Sequence, residues 1–162
     1  MGLWEDLMEV LRLELELHRQ LKNSIESLKA AIFQRDIEVV RKQIEIQAGY
    51  KKEIEEAEQA RAALCREISL AMGIEVVSVS ALSGYVPNYI SLEFNGLVEE
   101  LKKEIEEIKA HTRSIRYIIR TVLHYVEDLL EVYLCETEQT GSQYDANGQK
   151  KRAFVHFTTK LA

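Results

Sequence analysis

Apolar residues recur along the start of the chain at alternating steps of four and three: Leu7, Leu11, Leu21, Ile25, Leu28 and Ile32. That step lines up one side of a helix, so it predicts a first helix from about Leu3 to Phe33. Inside it the stretch RLELELH, Arg12 to His18, alternates like a strand. It is short and flanked by strong helix formers, so helix wins. Val10, Leu13, Leu15 and Leu17 widen the apolar stripe past half the circumference. A helix that wide either touches two neighbours or keeps a patch bare for a partner. Asp36 is placed to cap a second helix, whose stripe of Ile37, Val40, Ile44, Ile54, Ala57, Leu64 and Ile68 closes at Gly73. With only about three residues between them, the two helices form a hairpin.

The segment GIEVVSVSALSGYVPN, Gly73 to Asn88, gathers serines, two glycines and the single proline. It predicts a crossing loop with a short turn of helix or strand. From near Tyr89 or Ile90 the step of four and three returns through Leu101, Ile105, Ile108, Thr112, Ile115, Ile119, Val122, Val126, Leu129 and Tyr133. A third and longest helix follows, reaching about Glu138, where Gly141 and a polar cluster end it. The expected core is Leu28, Ile32, Ile44, Ile54, Leu64, Ile68, Leu101, Ile108, Ile115 and Ile119. The expected fold is all-α: three long antiparallel helices, a hairpin plus a longer third helix packed antiparallel to the second, and an irregular or flexible C-terminal tail. The division is a helical domain over 1–138 and a tail over 139–162. With the second helix at about 37 residues and the third at about 50, a rise of about 1.5 Å per residue makes the third overrun the hairpin by roughly 15–20 Å. The turns beyond it carry Leu123, Tyr125, Val126, Leu129, Leu130, Tyr133 and Leu134, an apolar set fit to receive an amphipathic helix.

Composition narrows the function. One proline and seven glycines in 162 residues favour helices over a turn-rich β protein. A formal charge of -6 argues against a general nucleic-acid binder. The start, MGLWEDLMEV, has acids where a secretion signal needs a basic region, and no apolar run approaches a membrane span, so the expectation is a cytoplasmic protein with no membrane insertion. Cys65 and Cys135 match no zinc or redox spacing and read as small buried hydrophobes. Glutamates and four histidines on helices raise a di-iron reading, which needs Glu three residues before His. Leu15, Ile108 and Thr121 hold those places before His18, His111 and His124, and His156 lies in the tail. With no catalytic motif either, neither a metal, a cofactor nor an enzyme activity is expected. Lys109, Arg113, Arg116 and Arg120 form a basic stripe. Ion pairs with the glutamates of the second helix explain it, or a grip on an acidic partner or RNA does.

Several stretches together resemble the FlgN family of flagellar type III export chaperones. On the second helix it is QAGYKKEIEEAEQARAALCREISLAMG, with Glu58 and Arg61 three apart; on the third, IIRTVLHYV; in the tail, QYDANG, a Tyr-x-x-x-Gly element. The likeness in layout runs from about Glu5 to Gly148. It departs from the family pattern at Thr112 and Ile115, where two asparagines three apart would stand. The resemblance implies a chaperone that holds the hook-filament junction proteins FlgK and FlgL soluble and unassembled before export and delivers them to the export gate. It further implies that Tyr144 matches the family's tail tyrosine and docks to the cytoplasmic domain of the gate protein FlhA. Read from its surroundings alone, Tyr144 either folds back on the third helix or serves as such an anchor, and Asn147-Gly148 suits a small hairpin turn or a mobile tail. A structural coiled-coil adaptor or a self-associating bundle is the alternative function, and a tight dimer through Leu129 and Tyr133 would mark it.

Overall fold

The computed structural model describes residues 2–75 and 78–140. Four helices run in order: α1 (Leu3–Gln34), α2 (Ile37–Met72), α3 (Val79–Leu82) and α4 (Asn88–Thr140). The three long ones are those the spacing predicts, and α3 is the short turn of helix in the crossing segment. The chain divides into two compact units, Met1–Arg116 and Tyr117–Ala162, with the boundary inside α4.

Local chemistry sets the ends. Asp36 closes one helix and opens the next: its N–H donates to Ala31 O at 3.0 Å, and its carboxylate accepts from Val39 N at 3.0 Å. Between them Arg35 sits at φ 59°, a left-handed turn taken by a residue with a Cβ. Gly73 makes the matching turn after α2 at φ 67°, where glycine is unstrained. Ser78 caps α3 by accepting from Ala81 N at 3.3 Å.

In the first unit α1 is shared by three apolar clusters. At one end Leu7, Met8, Leu11 and Leu15 pack with Cys65 and Ile68 of α2, Val79 and Leu82 of α3, and Phe94, Val98 and Leu101 of α4. In the middle Leu17 meets Ile54 and Ala57. Further on, Ile25 and Leu28 meet Ile115, with Val40 and Ile108 partly buried beside them. The wide stripe on the first helix is therefore that of a helix touching two neighbours.

α4 runs antiparallel to α2, and its cross-helix ion pairs among the described residues are with α1, which it accompanies in the same direction. Arg12 pairs with Glu93, Arg19 with Glu100 at 2.7 Å, and Lys22 with Glu104 and Glu107 at 2.5 and 2.9 Å. His111 then lies 3.6 Å from Glu26, the acid here standing on α1 and the imidazole on α4. Hydrogen bonds to Glu104 and Glu107 raise the Lys22 pKa, and the same ammonium lowers that of Glu107.

One ion pair lies deep between α1 and α2. The Glu14 side chain is 1% exposed, and Arg61 Nε donates to its Oε1 at 3.1 Å while lying 2.8 Å from Oε2. Burial pushes the Glu14 pKa up, and the Arg61 guanidinium opposes it. A cavity of about 150 Å³ adjoins the pair, lined by Glu58, Lys102, Leu11 and Leu101 among others.

Two residues expected in the core are not there: Ile44 is 55% and Ile119 44% exposed. Spacing names a helix face, and only a neighbouring element buries it. Ile32, Leu64 and Ile108 are half-buried, and the other expected core residues are buried.

Candidate protein-binding site

The second unit contributes the described part of α4 from Tyr117 onward. At about 100° per residue, Ile119, Val122, Leu123, Val126, Leu129, Leu130, Tyr133 and Leu134 fall within an arc of roughly 140°. Tyr125 and Val132 border that arc. Arg120, His124, Glu127, Asp128 and Glu131 hold the opposite face, with His124 3.9 Å from both carboxylates nearest it. All seven residues proposed from the sequence, Leu123, Tyr125, Val126, Leu129, Leu130, Tyr133 and Leu134, are between 44 and 65% exposed.

These residues lie together on one helix, and Ile119 and Val122 extend the face by another turn. Ile119 is expected in the core from the sequence and Val122 stands only in the helix's spacing, which carries straight through both. Tyr144 lies outside the described residues. So does Cys135 as a side chain, while Cys65 is buried, and burial raises its thiol pKa.

Among the described residues Lys109, Arg113 and Arg116 form no ion pair with α2. Lys109 pairs at 2.7 Å with Glu106 of its own helix, and together with the weaker field of Arg113 it lowers the Glu106 pKa. Among the described residues the α2 glutamates that form ion pairs do so within α2, as Lys51 with Glu55 and Lys52 with Glu56. No described helix is long and apolar enough to cross a membrane.

Long packed helices with an exposed apolar helix face define a helical protein of the kind that can take a partner helix on its surface. A model of the FlgN protein family matches residues 1–152. The chain belongs to that family: cytoplasmic flagellar export chaperones for the hook-filament junction proteins FlgK and FlgL, and not enzymes. A search of curated proteins returned no match, and neither did a search of solved structures.

Proposed function

We propose that the chain holds its FlgK-like or FlgL-like client by the client's terminal amphipathic helix, laid along Leu123, Tyr125, Val126, Leu129, Leu130, Tyr133 and Leu134. The exposure of that face supports this reading. An apolar stripe of this width and length matches one face of a partner helix, and burying the two together removes both from water. Occupying the client helix keeps it from assembling by mass action, because bound helix is withdrawn from self-association.

Leu129→Asp with Tyr133→Asp should weaken binding of a junction-protein C-terminal helix by roughly 100-fold or more, since a carboxylate in a desolvated groove costs several kcal/mol. Calorimetry reads the affinity, and unchanged helical circular dichroism shows that the variant is folded. A folded variant with wild-type affinity refutes the site.

Docking to the cytoplasmic domain of FlhA is assigned to Tyr144. Two things support it: the family match takes in its Tyr-x-x-x-Gly element, and tyrosine is enriched among interface hot spots. Because Tyr144 follows the client-binding residues in sequence, client and gate need not compete for the same side chains. Tyr144→Ala is expected to reduce FlhA binding and secretion while client affinity and melting temperature stay as in the wild type. A lowered melting temperature with FlhA binding intact would instead make this tyrosine a structural cap.

A further inference from the structure

The cavity beside Glu14 lies wholly within the first unit, and α1, α2, α3 and α4 each give it a wall. Its sides are largely apolar, Leu11, Val98, Leu101 and Ile105 among them. Its charged lining is Glu14, Glu58, Arg61 and Lys102. Both cations are already committed, Arg61 to Glu14 and Lys102 to Glu99 at 2.7 Å.

The two acids are not matched in the same way. Glu14 is buried, and its Oε2, although 2.8 Å from Arg61 Nε, receives no directed hydrogen bond from any described group. Glu58 stands close enough to act on Glu14 with a like charge. It forms no ion pair of its own among the described residues: Lys51, the nearest cation before it on α2, is 3.6 Å from Glu55, and Arg66, which shares a shallow surface depression with Glu58, lies beyond pairing distance. The cavity therefore offers two carboxylates with acceptor capacity to spare and no cation left to fill it.

Size, walls and charge together define an occupant. At about 150 Å³ the cavity is as large as one that holds benzene, so a chain of about five heavy atoms fits. Methylenes suit the apolar sides, and a donor cation suits the two acids. An anion would meet Glu58 and Glu14 with no free cation to receive it, and a hydrocarbon would leave Glu14 Oε2 as it stands.

We propose that this cavity binds a primary alkylammonium group, its methylenes against Leu11, Val98, Leu101 and Ile105 and its N–H groups donated to Glu58 and Glu14 Oε2. The group belongs to a free aliphatic amine or to a lysine side chain of a partner protein, and the two sources share this chemistry.

Titration of n-butylammonium chloride into the isotope-labelled full chain, at constant ionic strength, tests this by nuclear magnetic resonance. Backbone amide signals of Leu11, Glu14, Val98 and Leu101 should shift along a saturating curve with a dissociation constant of about 1–10 mM. n-Butanol keeps the chain and loses the charge, so it should bind about 10-fold more weakly. Glu58→Gln, an exposed change that leaves the chain folded, should weaken n-butylammonium by about 5-fold. Shifts that never saturate, n-butanol binding as tightly as the amine, or an affinity unmoved by Glu58→Gln would each overturn the proposal. Nα-acetyl-lysine methylamide then separates the sources. Binding at least as tight as n-butylammonium assigns the cavity to a partner's lysine, and exclusion of this larger probe while n-butylammonium binds assigns it to a free amine.

Discussion

Arg61→Met is expected to destabilise the fold by about 3–5 kcal/mol, because it leaves a carboxylate buried without its cation. Among the described residues Arg61 is the cation paired with Glu14, and Lys102, which lines the same cavity, is paired with Glu99 at 2.7 Å. His18 Nδ1 is engaged with Glu14 O at 2.7 Å, and the nearby Glu58 carboxylate acts on Glu14 with the same sign of charge. The double change Glu14→Leu with Arg61→Met should recover most of the loss, since removing both charges removes the need for pairing.

A pH dependence identifies the cause. Glu14 already holds its proton above the ordinary value of 4.5 in the folded chain, and loss of Arg61 pushes it higher. The folded variant then binds a proton that the unfolded chain has released, so its stability falls as pH rises from 4.5 through the raised value. The melting-temperature deficit against the wild type should therefore shrink between neutral pH and about pH 5. A deficit that does not change with pH would show that lost packing, and not the stranded carboxylate, destabilises the variant.

Phe94→Ala should be comparably damaging, at about 3–5 kcal/mol. Its side chain is fully buried where all four helices meet, and it stands edge-on to Trp4 with ring centroids 5.9 Å apart at 84°. Truncation removes that contact and leaves a void bounded by rigid helices, which relax poorly into it. Ile44→Ala, at an exposed position, should change stability by less than about 1 kcal/mol. Urea midpoints measure both, and equal losses at the two positions would show that burial does not rank these side chains.

What could be read from the sequence was what depends on near neighbours. Asp36 and Gly73 carry their capping chemistry in their own side chain or in its absence, so the ends of α1 and α2 were legible. Arg35 was not, because nothing in an arginine announces a left-handed turn; the two helix ends impose it. The step of four and three named the faces of Val40 and Ile44 alike, but one is packed and the other bare, and that depends on an element distant in sequence. Arg61 stood out beside Glu58 as a spacing, whereas its partner Glu14 lies within a stretch that reads as alternation. Likewise the residues of the candidate binding face were visible as a pattern. Their exposure was not, because it depends on what covers them.

The charged seam between α1 and α4 acts like the wards of a lock. Leucines and isoleucines alone would let one helix slide a heptad along the other with little change in buried area, and each exposed ion pair contributes only about 0–1 kcal/mol. Slipping is opposed at Glu26 and Lys22. Moved seven residues one way, Glu26 would face Glu104, a like charge; moved seven the other way, Lys22 would leave both Glu104 and Glu107. A seam of modest strength thus favours one axial setting. Charge reversal of Glu26 alone, by making the slide toward Glu104 attractive, would cut a second key for the same lock.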